Sequence, residues 1–402
     1  MTQGIGGSDA ATELARLQDM TTGATPINDA EFAARLAQAQ GLMRAEGLDA
    51  IYLNAGTNLY YFTGTRWSAS ERLVGALVPA NGDPVYLAPA FELGTLQGFL
   101  RVPGEVHCWE EHESPYRLCA RLLADFGARE IGVDESAPFF IADGLQQASP
   151  DCRFRSATPV TAGCRMHKSG AELALMQRAK DMTLEVHRAT ARILRPGIST
   201  TEVSAFIDAA HRQVGAPAGS YFCIVLFGPD SAFPHGVARP KVLDEGDMVL
   251  IDTGCQLHGY ISDITRSYVF GEPSARQREI WDLEKAAQQA AFSAAQIGAT
   301  CGSVDDAARA VLTAAGLGPD YALPGLPHRT GHGIGLDIHE WPYLVRGNDT
   351  PLAPGMCFSN EPMICVPGAF GVRHEDHFYL TEKGPRWFTQ PAHSVDDPFG
   401  GV

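Results

Sequence analysis

Two carboxylates, Asp252 and Asp263, mark the stretch GDMVLIDTGCQLHGYISDITRS between Gly246 and Ser267. The first ends the apolar run Met248–Ile251 and the second leads into the alternating segment around Ile264. Gly254, His258 and Gly259 lie between them, so the stretch reads as a hairpin with an acid on each arm. An acid closing a buried run is costly unless turn amides satisfy it, a cation pairs with it or a metal binds it. The pattern recurs. Asp252 follows Gly246 by six residues and Glu361 follows Gly355 by six; a further acid comes eleven residues on at Asp263 and fourteen on at Glu375. A duplicated unit would point four acids into one cavity, where they cannot all stay ionised without a cation.

Four carboxylates and one imidazole make a ligand set for two hard-to-borderline divalent ions. The imidazole is sought in HRTGHGIGLDIHEWP, residues 328–342. His332 stands between Gly331 and Gly333, expected to let the backbone turn tightly and bring a ring close to a metal. His339 and Glu340 follow in the same region, while His328, before a turn, reads as a surface residue. His235, in the Pro- and Gly-rich FGPDSAFPHG, reads either as an exposed loop histidine or as part of an active-site rim.

The elements that must hold these residues fall into two units. Residues 1–27 read as a loosely held extension with at most one short helix. An N-terminal unit, 28–163, begins with a helix from Asn28 to Gly47 and a buried strand at 49–53. A hairpin with an Asn81-Gly82 turn, a helix over 116–126, a strand at 131–133 and a helix over 141–147 follow. It carries no clustered nucleophile or phosphate loop, and His107 and Cys108 read as ordinary residues. The second unit, 164–402, runs helix, helix, ribbon, twice over. Ser199 with Glu202 and Ser274 with Gln277 cap helices, Ser303 starts another, and Leu175, Met176, Ala179, Met182 and Val186 give the first helix its core face.

Composition narrows the function classes. The 402 residues are 45% hydrophobic and 19% charged, which suits two globular domains. A net charge of −16 argues against nucleic acid or an anionic membrane as partner. Nine scattered cysteines without a CxxC pair point to free thiols in a reducing, cytoplasmic setting, and neither a secretory signal nor a spanning segment is evident.

The motifs IDTG…GYISDITRSY, HRTGHGIGLDIHE, SNEP and GVRHED, in this order, resemble those of the metal-dependent pita-bread peptidases, which include methionine aminopeptidase, aminopeptidase P and prolidase. The resemblance covers nearly all of residues 165–402. NLYYFTG at 58–64 and VPANGDPVYLAP extend it to the creatinase-type N-terminal domain of the prolidase and aminopeptidase P branch, and the length is similar to small bacterial Xaa-Pro dipeptidases. The implied fold is α/β (α+β), a creatinase-like N-terminal α/β domain followed by a pita-bread catalytic domain with an internal pseudo-twofold repeat. The implied cofactor is a pair of divalent ions, manganese first, with cobalt, zinc or iron as alternatives. Asp252 would chelate one ion, Asp263 and Glu375 would bridge both, and His332 and Glu361 would complete the second. Creatinases and histone-binding relatives keep the fold without these five ligands, all of which are present here.

The activity so implied is hydrolysis of Xaa-Pro dipeptides by a hydroxide bridging two ions. Glu361 would pass the water proton to the leaving nitrogen, and His235 and His339 would hydrogen-bond the tetrahedral intermediate and the substrate ends. Arg373 would either orient the carboxylates or meet a substrate carboxylate. Arg239, Arg346 and Arg373 are the candidates for binding the free C-terminus. Alternatives are an aminopeptidase P acting on longer peptides, a small-molecule hydrolase or lyase on the same scaffold, and a peptide-binding module without catalysis. A homodimer is implied by the resemblance alone. One departure stands out: the family's EPGIY is EPMIC here, with Met363 and Cys365 in place of glycine and tyrosine. A thiol donates a hydrogen bond poorly, so either another residue substitutes or Cys365 is core packing.

Overall fold

Helix starts are where the sequence is most explicit. In the computed structural model, which describes residues 2–400, Ser199 and Ser274 accept from the backbone N–H three residues on. Glu202 and Gln277 reach back to the cap N–H, closing both boxes. A third box, Ser169 with Glu172, opens the long helix Gly170–Ile193. One start is displaced: Thr300, not Ser303, caps the helix Cys301–Ala314, because the Thr300 hydroxyl accepts from the Ser303 N–H at 3.2 Å.

The chain divides into Ile27–Arg165 and a second unit formed by Met1–Pro26 with Met166–Val402. The first unit is a six-stranded mixed sheet. Its spatial order is Glu105–Trp109, Val85–Pro89, Gly75–Pro79, Ala50–Asn54, Glu130–Val133, Arg153–Ser156. Ala50–Asn54 is buried at every position, and the Asn81-Gly82 hairpin pairs Gly75 with Leu87. His107 and Cys108 sit half-buried on the edge strand. No described helix of the chain is long and apolar enough to cross a membrane.

The second unit contains the repeat. Helices Gly170–Ile193 and Thr200–Gln213 precede a four-stranded sheet of Ser220–Phe227, Met248–Leu257, Ile264–Val269 and the short Tyr260–Ile261. Helices Ala275–Ala294 and Cys301–Ala314 precede a five-stranded sheet and the separate ribbon Met363–Val366 with Phe370–Arg373. The sequence expectation for residues 1–27 needs correcting, since this segment is held rather than loose. The Thr2 hydroxyl donates to the Val269 carbonyl at 3.0 Å. Glu13, fully buried on the helix Ala10–Arg16, receives bonds from Arg16 at 2.6 Å and Arg192 at 2.7 Å. These anchors are polar and lie far apart in sequence, so no apolar period announces them.

Candidate metal centre

The first ribbon forms as the sequence indicates. Met248–Leu257 is an apolar strand interrupted by Asp252, Thr253 and Gln256, and it pairs antiparallel with Ile264–Val269, setting Asp252 opposite Thr265. Gly254 is required by closeness: a Cβ there would lie 1.7 Å from the Ser262 carbonyl oxygen. The same reason governs the glycine before His332. Residues Gly331–Gly333 form a strand, not a tight turn, and a Cβ on Gly331 would sit 2.1 Å from the Ser359 carbonyl oxygen. Glycine here lets two strands close up rather than letting the chain bend.

The acids converge. Asp263, His332 and Glu375, all buried, each offer one ligand atom, and these atoms lie within 4.8 Å of one another. His332 Nε2 lies 3.1 Å from Glu361 Oε1 and 3.7 Å from Asp263 Oδ2. Glu375 reaches the cluster through an isolated bridge between its backbone and Thr265, whose hydroxyl donates to Glu375 Oε2 at 2.8 Å. His377 Nε2 stands 3.3 Å from the other oxygen, Oε1. Arg373 is buried; it binds Asp252 and also donates to the Thr265 hydroxyl and the Pro234 carbonyl. Of the two readings of Arg373 this favours the orienting one, because the guanidinium is already committed.

Two observations test whether the cluster suits divalent cations. Asp252 Oδ1 and Asp263 Oδ1 are buried with no hydrogen-bond partner. His332 Nδ1 lies 2.9 Å from the Gly333 carbonyl, which can only accept, so Nδ1 carries the proton. With Nδ1 so engaged, Nε2 is the ring nitrogen turned toward the two carboxylates, and it is the atom a metal ion among them would take. Burial, with the charges of Asp252 and Glu361, pushes Asp263 well above the ordinary carboxylate range, and burial with Asp263 and Glu361 does the same to Glu375. Burial also opposes ionisation of Glu361, but its bond to His332 and the nearby His328 and Arg373 outweigh that and hold it low. Oxygen and nitrogen donors of this kind fit hard-to-borderline divalent ions.

Around the cluster, His339 packs its ring 4.2 Å from that of His332. Burial lowers its pKa to about 4, with help from His332 and Arg329. His235 is exposed and lines a cavity of about 320 Å³ with Cys223, Ile224, Leu226 and Arg239. His328 is not the surface residue expected from its place before a turn. Its Nδ1 bonds the Arg329 carbonyl at 2.7 Å, its Nε2 is buried without a partner, and burial lowers its pKa. The signal was its position four residues before His332. Glu340 faces away from this group: it pairs with Lys168 at 2.7 Å and accepts from the Leu336 and Asp337 amides, which fixes the loop. Cys365 packs in the hydrophobic core, and Met363 lies with its sulfur 4.0 Å from Arg373.

Comparison with known proteins places this geometry. The model of metallopeptidase family M24 matches residues 174–382, and that of the creatinase/prolidase N-terminal domain matches residues 35–167. The chain belongs to metallopeptidase family M24, a hydrolase with a creatinase-like N-terminal domain, a pita-bread catalytic domain and a divalent-metal site. It is 37% identical to a probable dipeptidase PepE of Mycobacterium tuberculosis, over 89% of this chain and 94% of that one. It is 30% identical to an Xaa-Pro dipeptidase of Pyrococcus furiosus, over 89% and 97%. The crystal structure of dipeptidase PepE from Mycobacterium ulcerans superposes with a TM-score of 0.85 at 35% identity, covering 92% of this chain and 99% of that one.

Proposed function

We propose that this chain is an Xaa-Pro dipeptidase using two divalent ions, manganese first, held by Asp252, Asp263, His332, Glu361 and Glu375. The observation that carries the reading is the setting of His332, whose Nδ1 is held by the Gly333 carbonyl while Nε2 faces Glu361 and Asp263. Relatives of nearly full length named dipeptidase and Xaa-Pro dipeptidase supply the substrate class. When bound, the ions would acidify water and polarise the scissile carbonyl. The protein's own groups do the rest. Glu361, held ionised and steadied by the Ser359 hydroxyl at 3.0 Å, takes a proton from water and passes it to the leaving nitrogen. His339, neutral near pH 7, and His235 on the rim hydrogen-bond the developing oxyanion and the substrate ends. Arg373 and Thr265 orient Asp252 and Glu375.

Nine cysteines with no disulfide among them support a reducing, cytoplasmic setting, and the family resemblance supports a homodimer. The test is to strip metal by dialysis, restore Mn²⁺, and assay Xaa-Pro dipeptides beside Xaa-Pro tripeptides. Metal-dependent release of proline from the dipeptides is expected. Cleavage of longer peptides alone would instead make the chain an aminopeptidase P.

A further inference from the structure

A free dipeptide ends in a carboxylate, and a dipeptidase needs a cation to read it. None of the three arginines singled out by sequence suits the task well. Arg373 is buried against Asp252, Arg346 is held by Asp306 and Asp320, and Arg239 is exposed on the loop beside His235. Arg329 is different. It is half-buried, and no described carboxylate lies within ion-pair distance of it. Its guanidinium lies over the Tyr343 ring, 4.0 Å from the centroid. Tyr343 is the direct cross-strand partner of His332, and such partners on antiparallel strands send their side chains to the same face. Trp341, half-exposed and 5.5 Å edge-on from Tyr343, continues that face. His339 packs its ring against that of His332.

We propose that Arg329, stacked on Tyr343 beside His332 and His339, binds the C-terminal carboxylate of the dipeptide and sets the length limit of the substrate. This rests on the dipeptidase reading above. A planar guanidinium fixed by an aromatic face presents its free edge in one orientation, which matches a carboxylate in two parallel hydrogen bonds. Leaving it without an internal acid keeps that edge available, and a longer peptide would meet the same cation with a neutral amide.

The experiment compares the Mn²⁺-loaded wild type with Arg329→Gln, Arg329→Lys and Arg239→Gln on one Xaa-Pro dipeptide and its C-terminal amide. The wild type is expected to favour the free acid by about 100-fold in kcat/KM, the scale of one well-placed charge pair. Arg329→Gln should collapse that preference to within about threefold, mainly by raising KM for the acid, while its melting temperature stays near the wild-type value. Arg329→Lys keeps the charge but loses the planar fork, so it should lose about tenfold of the preference. A wild-type preference in Arg329→Gln, or its loss in Arg239→Gln instead, would overturn the assignment. If Arg329→Gln does not fold, a wild-type preference in Arg329→Lys overturns it equally. Dipeptide cleavage indifferent to Arg329 removes the anchor alone, whereas a wild type cleaving only longer peptides removes the dipeptidase reading and the anchor together.

Discussion

The strand of Thr265 and Arg266 and the stretch Glu375–Asp376 have two faces, and they treat charge in opposite ways. On one face Arg266 meets Asp376 at 2.8 and 3.2 Å, donates to the Glu375 and Gln390 carbonyls, and shares Asp376 with Thr389 and Gln288. Arg266 and Asp376 are at most 1% exposed, and neither carboxylate oxygen of Asp376 lacks a donor. On the other face, one residue along each strand, Thr265 and Glu375 join Asp252, Asp263, His332 and Glu361, where two oxygens have no partner and acids crowd acids. Both sides are largely buried, so burial alone does not explain the difference. A network that completes itself is structure; one left short of positive charge, although Arg373 is within reach, is built to be completed by ions.

The contrast is broken most severely by removing an acid from the incomplete face. Asp263→Asn should lower kcat/KM by at least about 10³-fold and reduce bound metal together, as expected when several kcal/mol of transition-state stabilisation is lost. Its stability should shift the opposite way when metal is stripped. Without ions, burial and repulsion from Asp252 and Glu361 outweigh the pull of Arg373 on Asp263, so the metal-free variant should melt above the metal-free wild type. Full activity in Asp263→Asn would remove it from the ligand set. On the complete face, Asp376→Leu strands the Arg266 charge and should cost about 3–5 kcal/mol in chemical denaturation, with or without metal. A loss that vanished in metal-free protein would mean that this pair serves the metal site, not the fold. Chelation comes next in size. Ions at 100 times their dissociation constant stabilise by about 2.7 kcal/mol, so stripping them should lower the wild-type midpoint accordingly and leave Asp263→Asn nearly unmoved.

How much of this was legible in sequence follows from the range of each signal. The four acids were readable because a repeat states the same spacing twice, and the capping boxes because each closes within four residues. His328 and Arg329 were not, since their roles depend on a paired strand eleven or more residues away and on a ring packed across it. The hold on Glu13 was hidden for the same reason: its partner Arg192 lies 179 residues on. The short strand Arg153–Ser156 is mostly exposed and shows no apolar alternation, so it carries no period to read.

His377 lies at the boundary between the two kinds of network and gives the smallest effect. It follows Glu375 by two residues, is fully buried, and offers Nε2 to Glu375 Oε1 at 3.3 Å, while its Nδ1 has no partner. Once ionised to hold a metal, Glu375 can only accept, so Nε2 then carries the proton and the ring steadies Glu375 from behind as Thr265 does at the other oxygen. Removing such an outer support should weaken metal binding about tenfold, or ~1.4 kcal/mol, without abolishing it. Titrating Mn²⁺ into metal-free His377→Ala and His377→Gln by calorimetry reads this directly. Gln can still donate one hydrogen bond and should recover part of the affinity. If both variants bind as tightly as wild type, His377 belongs with the packing, and Glu375 is oriented by Thr265 alone.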